Sequence, residues 1–288
     1  MANQFPMYMG GHLATQVSLV MDNIGEFVSK PRWVFVGGAP RSGTTLLQAL
    51  LSTANFSNDY IAECGYFSTL ITSYIHGCSR FSDQTKYYFK DWQNFNLFHR
   101  GLLQTVLEKI SLNIGNPETL LLKDPLLTPH FDLVSDLLPE ATFIVSVRNP
   151  LPTVASRLQV MKRAGDWTEG DFSKVERCCD EYNFSYSGIL RGRASMESRL
   201  YIVKYEDILK YIFSDIPADF RDNLRLDKLW GSSLTDINES NVGPWRSQLY
   251  GGPITPSDDH VTDAIISKAI EDIVLSRCGD TANMLGYS

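Results

Sequence analysis

Hydrophobic positions fall into short continuous runs separated by stripes at helical spacing. The first run, Trp33, Val34, Phe35 and Val36, is aromatic and β-branched and predicts a buried strand. Gly37 and Gly38 end it, and Pro40 to Thr44 turn the chain. Leu46, Leu47, Leu50, Leu51 and Ala54 then recur as in a helix. Tyr60 to Ala62 predicts a second short strand ending at Glu63. Residues 66 to 114 read as mostly helical and aromatic, with Leu102, Val106, Ile110 and Ile114 as a packing stripe. Leu120 to Leu122 predicts a third strand, with Lys123, Asp124 and Pro125 at its exit. Asp132 to Leu138 reads as a short helix. Thr142 to Val147 is the clearest strand; it ends in Arg148, Asn149 and Pro150, and a helix follows through Thr153, Val154 and Ala155. Leu200 to Tyr205 predicts a further strand, with Glu206 and Asp207 opening a helix, where carboxylates suit the dipole.

Strands alternating with helices predict right-handed βαβ units and a parallel sheet. The expected class is α/β, three layers with a central parallel sheet flanked by helices. A chain of 288 residues, 43% hydrophobic, suits one domain spanning 1–288. Leu13, Val17, Val20, Ile24, Phe27 and Val28 share one helical face, so residues 1–30 read as a helical lead-in. Residues 231–257, rich in Gly, Ser, Asn and Pro, read as a long irregular loop of the kind that covers a ligand. The last helix is expected over Val261 to Cys278.

Charge and composition narrow the function. The net charge of −7 offers no basic footprint for nucleic acid. Local charge still decides whether a polyanionic nucleotide binds. The first 23 residues lack a basic start and a continuous apolar core. No apolar run approaches the roughly 20 residues that span a bilayer. A soluble, cytoplasmic protein with no membrane span is expected. Five cysteines at 64, 78, 178, 179 and 278 have no metal-ligand spacing, so free thiols and no metal are expected.

The turn after the first strand carries the chemistry. Gly38 and Gly43 have the G-x-x-x-x-G spacing of a phosphate loop, which presents bare amides and a helix N-terminus to an anion. A triphosphatase continues with Lys and then Ser or Thr. Here Thr44 stands at the Lys position, Thr45 follows, and the positive charge lies within the loop at Arg41. A plain Gly-Pro turn is the alternative. A second anion site is expected where Arg148 ends a strand and Ser156 follows eight residues later in the next helix. Taken alone, that pair also reads as a salt-bridged arginine and a surface serine.

The segment PRSGTTLL resembles the 5′-phosphosulfate loop of sulfotransferases that use 3′-phosphoadenosine 5′-phosphosulfate (PAPS). Its wording is nearest the tyrosylprotein, carbohydrate and bacterial branches. FIVSVRNPLPTVASRL resembles the family's 3′-phosphate motif. The resemblance runs from about Trp33 to the C-terminal LGY and implies a P-loop-like fold. It implies PAPS as donor, adenosine 3′,5′-bisphosphate as product and no metal. Pro40, Arg41, Ser42, Gly43, Thr44, Thr45, Arg148 and Ser156 then hold the donor.

In-line displacement at sulfur needs charge on the sulfuryl oxygens, help for the leaving phosphate and a base for the acceptor proton. Arg41 supplies the first. Glu63 is the expected base, in a region where relatives carry a glutamate. Lys123, in a KDP segment like that of the tyrosylprotein branch, is expected to stabilise charge with Asp124 orienting it; a structural ion pair is the alternative. None of His76, His99 and His130 lies in a segment matching the catalytic histidine of the phenol and steroid branch. Tyr205 in VKYEDI resembles a family tyrosine near the nucleotide. GSS (Gly231–Ser233) and VGPWR (Val242–Arg246) resemble a segment folding over PAPS, with Ser233 as a further leaving-group stabiliser and Trp245 and Arg246 at the donor. Pro244 stands where relatives carry a basic residue. The acceptor is expected to be a hydroxyl-bearing small molecule, glycan, lipid or peptide, with an amine as the lesser alternative. A nucleotide kinase or triphosphatase and a non-catalytic nucleotide-binding scaffold are the alternatives.

Overall fold

Four parallel strands form the sheet, in the order β2-β1-β3-β4. A computed structural model describes residues 30–229, 262 and 264–287. The chain divides into residues 1–30 and 31–288, and every described element belongs to the second unit. In order it runs β1 (Arg32–Gly38), α1 (Thr44–Leu51), α2 (Gly65–Ser79), a π-helical turn (Phe81–Thr85), α3 (Lys86–Phe89) and α4 (Trp92–Asn113). Then come β2 (Thr119–Lys123), a 3-10 turn (Pro125–His130), α5 (Phe131–Leu137), β3 (Thr142–Val147), α6 (Pro150–Ala164) and α7 (Phe172–Met196). β4 (Leu200–Lys204), α8 (Tyr205–Leu209), α9 (Ala218–Asn223), a second 3-10 turn (Leu226–Lys228) and α10 (Lys268–Met284) follow.

Both faces of the sheet are covered, which explains the unbroken apolar runs in the sequence. Trp33, Phe35, Leu122, Phe143 and Val145 face a core built with Ile71 of α2, Leu103 of α4, Leu158 of α6, Tyr186 of α7 and Val274 of α10. Val34, Val36, Leu121, Ile144 and Val203 face the other way, against Leu46, Leu47 and Leu50 of α1, Ile208 of α8 and Phe220 of α9. The three-layer expectation holds.

Several expectations change in detail. Tyr60 to Ala62 forms no strand. The Asn58 amide occupies the outer side of β2 instead, accepting from Leu121 N at 2.7 Å and donating to Leu121 O at 3.2 Å. Only an isolated bridge, Ser57 to Thr119, remains there. In α4 the fully buried seam is Phe95, His99, Leu103 and Leu107, whereas Val106, Ile110 and Ile114 are half-buried. The seam follows the aromatic layer, since Tyr74 and Phe89 pack on Phe95 at ring separations of 5.3 and 5.0 Å. The long helix α7 has no counterpart among the elements read from the sequence. The last helix begins at Lys268 and reaches Met284, because Ser267 caps it by accepting from Ile270 N. β4 ends at Lys204, and Tyr205 already opens α8. The lead-in helix and the 231–257 loop lie outside the described residues. No described helix is long and apolar enough to cross a membrane.

Candidate active site

The loop between β1 and α1 is built on left-handed backbone. Gly38, Arg41 and Gly43 have φ of 142°, 75° and 91°. Gly43 is the N-cap of α1 and supplies no capping side chain, so no side chain caps the first-turn amides of α1. The Ser42 side chain is wholly buried and points away from the loop mouth, donating to Ala39 O at 2.7 Å. In return Ser146 of β3 donates to Ser42 O at 2.5 Å. Ser42 N also donates to Ala39 O at 3.0 Å, so Ser42 staples the loop to β3 through side chain and backbone together. Beneath the loop, Thr128 accepts from Gly38 N at 2.8 Å. A Cβ on Gly37 would stand 2.5 Å from the Thr128 hydroxyl, so only glycine lets this contact form.

The two anion motifs meet at the loop. Arg41 donates from Nε to Ser156 Oγ at 3.1 Å. Arg148, only 5% exposed, donates from Nη1 to the Arg41 carbonyl at 3.0 Å. Its guanidinium carbon lies 4.6 Å from the Tyr205 ring centroid, and that ring lies against Gly43. Arg41, Gly43, Arg148, Ser156 and Tyr205 are thus brought together from β1–α1, β3–α6 and β4–α8. This places them at the carboxyl ends of parallel strands, where open α/β sheets bind ligands.

Glu63 and Lys123 also come together. Lys123 donates from Nζ to Glu63 Oε1 at 2.6 Å. The Lys123 side chain is 2% exposed and the Glu63 side chain 55% exposed. Glu63 thus stands toward solvent over the buried Lys123 side chain at the exit of β2. Its segment is pinned on both sides: Gln48 donates to Ile61 O at 3.0 Å, and Cys64 N donates to Lys123 O at 2.9 Å. Gln48 and Thr128 had no signal in the sequence beyond being polar residues on apolar elements. Asp124 does not orient Lys123. It accepts from Leu126 N at 2.9 Å to cap the 3-10 turn, and from Ser68 Oγ. Burial, and then the Asp124 charge, pushes the Cys64 thiol up to about 12, so it stands beside the pair as a neutral group.

The histidines lie in other surroundings. Burial lowers His99, packed among Tyr74, Phe95 and Phe98. Burial also lowers His130, which lies against the Phe184 ring. Ser233, Trp245 and Arg246 lie outside the described residues. Among the described residues no cluster of His, Cys, Asp and Glu is suited to a metal ion.

A sequence model of the sulfotransferase family matches residues 31–212. A protein-tyrosine sulfotransferase of Drosophila melanogaster is 28% identical over 159 residues, 52% of this chain and 29% of that protein. The chain thus spans under a third of that relative's length. The sulfotransferase domain of the Synechococcus PCC 7002 olefin synthase superposes with a TM-score of 0.55 at 17% identity, over 89% of this chain and 97% of that one. The sulfotransferase domain from the curacin biosynthetic pathway gives 0.50 at 19% identity, over 90% and 98%. These two structures share the P-loop-like three-layer fold. The family's sequence pattern extends over well more than half of the chain, from the strand before the loop to beyond β4, and the chain belongs to the sulfotransferase family.

Proposed function

We propose that the protein transfers a sulfuryl group from PAPS to a hydroxyl acceptor, releasing adenosine 3′,5′-bisphosphate. The observation that carries this is the meeting of Arg41, Ser156 and Arg148, which suits a ligand with two separate anionic groups. The loop offers amides and arginine but no lysine where a triphosphatase has one, which disfavours the kinase alternative. In this reading the backbone of Pro40 to Thr45 and the α1 dipole hold the phosphosulfate. Arg148 and Ser156 hold the 3′-phosphate, and Tyr205 supports Arg148. Trp245 and Arg246 close over the donor from a 231–257 covering loop, within one transferase domain over 1–288 that the lead-in 1–30 opens.

The chemistry follows from charge. The acceptor oxygen bonds to sulfur as the bridging sulfur–oxygen bond to phosphate breaks. Glu63 takes the acceptor proton through Oε2, since Oε1 is engaged by Lys123. Arg41 and Lys123 face the developing negative charge, and Ser233 is a further donor to the leaving phosphate. No step calls for a metal. The acceptor is a hydroxyl on a small molecule, glycan, lipid or peptide.

The test is a thermal-shift series with adenosine 3′,5′-bisphosphate and with ATP–magnesium, followed by a screen of hydroxyl acceptors with radiolabelled PAPS. Stabilisation by the bisphosphate and label transfer are expected. Stabilisation by ATP–magnesium alone overturns the reading. A bound bisphosphate without transfer to any acceptor favours a scaffold.

A further inference from the structure

Carbonyls at the exit of a strand lose their ladder partners and must find other donors. At the exit of β3, tyrosine hydroxyls stand at three successive carbonyls. Tyr186 donates to Ser146 O at 3.2 Å, and Tyr182 donates to Arg148 O at 3.0 Å. Tyr287 Oη lies 3.0 Å from the carbonyl between them, Val147 O. The next peptide is held as well, since Asn149 N donates to Glu206 Oε1 at 3.3 Å. Glu206 Oε2 lies 2.6 Å from the Tyr287 hydroxyl. That hydroxyl has one proton, so it donates to the carboxylate or to the carbonyl at any moment. Either bond ties it to the same turn.

The three rings come from two places. Tyr182 and Tyr186 lie one turn apart on α7 and are buried. Tyr287 follows α10, where Lys204 donates to Gly286 O at 2.7 Å and lies 5.0 Å from the Tyr287 ring centroid. Burial raises all three phenols, Tyr186 to about 12, so each stays a neutral donor at neutral pH. Together they fix the backbone from Ser146 to Asn149, and with it the direction in which the Arg148 side chain leaves the sheet. Arg148 in turn holds the Arg41 carbonyl.

We propose that Tyr182, Tyr186 and Tyr287 are positioning residues that aim Arg148 at the 3′-phosphate of the nucleotide. The tail after α10 is thereby part of the donor site. This rests on the proposed assignment of Arg148 to the 3′-phosphate. Phenylalanine at each position keeps the ring and its packing and removes only the hydroxyl, so the consequence is confined to alignment.

The test measures binding of adenosine 3′,5′-bisphosphate and of adenosine 5′-monophosphate, which lacks the 3′-phosphate, by titration calorimetry. The wild-type chain is compared with Tyr182→Phe, Tyr287→Phe and the double variant. Wild type is expected to prefer the bisphosphate. Each single variant is expected to lose about tenfold in bisphosphate affinity, the size of one well-placed hydrogen bond, while the monophosphate binds as before. A preference retained in all three variants overturns the positioning role. Equal losses for both nucleotides also overturn it, because they mark a general structural role. A wild type that does not distinguish the two nucleotides overturns the assignment of Arg148 itself. Glu206→Gln, which weakens the acceptor shared by Asn149 N and Tyr287, must reproduce the Tyr287→Phe pattern for the proposal to stand.

Discussion

Arg41 and Ser156 stand 115 positions apart in the chain, yet the arginine Nε donates to the serine hydroxyl at 3.1 Å. Arg148 holds the carbonyl of the same arginine. The loop after β1 and helix α6 therefore form one continuous surface, which in the proposed reading binds the anions of the donor. Arg148→Ala is expected to weaken adenosine 3′,5′-bisphosphate binding about 10- to 100-fold, since hydrogen bonds to charged groups are worth about 1.5–3 kcal/mol. Ser156→Ala, which removes a neutral donor, should weaken it no more than about tenfold. Calorimetry on both variants checks the order, and a larger loss from the serine contradicts it.

In the proposed reading Glu63 and Lys123 serve transfer rather than binding. Glu63→Gln should retain nucleotide affinity and lower turnover by about 10²–10⁴-fold, the usual contribution of a general base. Turnover equal to wild type removes Glu63 from that role. Lys123→Met should also abolish transfer. Because the Lys123 side chain is 2% exposed while that of Glu63 is 55% exposed, an apolar replacement removes a buried charge and leaves its partner in water, so the melting temperature should stay unchanged or rise.

Gly43 has no room for a side chain. Its φ is 91°, and an added Cβ would stand 2.3 Å from Cδ2 of Tyr205. Gly43→Ala is expected to destabilise the fold by about 1–3 kcal/mol through backbone strain and displacement of the ring. Adding Tyr205→Ala should recover only part of this, because the positive φ remains. A double-mutant cycle in thermal denaturation measures the coupling.

Alkaline pH should unfold the protein through its buried acids. Burial raises Tyr186 from 10.0 and Cys178 from 9.0, each to about 12. The folded chain then keeps protons that the unfolded chain releases. Their contribution is full below about pH 9 and is lost as pH rises toward 12. Tyrosinate absorbance for Tyr186 should appear together with unfolding rather than before it.

Cys64 lies next to the proposed base yet should be inert. Its thiol is pushed up to about 12, so almost no thiolate exists at pH 8. A disulfide reagent at pH 8 should label Cys64 far more slowly than it labels the denatured chain, as read by peptide mass mapping. Labelling at the denatured rate contradicts this.

The sheet was legible because its strands are buried on both faces. Runs such as Trp33 to Val36 and Thr142 to Val147 have no other good explanation. The loop was legible through glycine spacing, and the approach of Arg148 to it through an arginine at a strand exit. The failures have a common cause, in that side chains do work that backbone patterns do not record. Asn58 replaces a strand at Tyr60 to Ala62, and Asp124 caps a turn instead of orienting Lys123. In α7 the buried set Val175, Cys179, Tyr182, Tyr186 and Ile189 keeps helical spacing, but charges and tyrosines within it mask the apolar stripe. The hydroxyls of Tyr182, Tyr186 and Tyr287 act on backbone far away in the chain, a pairing that only the folded chain displays.

The order β2-β1-β3-β4 has a kinetic consequence. β1 lies between two strands that come much later in the chain, with Arg32 paired to Thr119 and Val34 to Thr142. Both pairings close long loops, so the entropy of closure must be overcome before either gives stability. On a ribosome, the glycine loop therefore emerges long before anything can hold its shape. It takes its final form only after Ser146 has arrived to bond Ser42, so the loop matures late in folding.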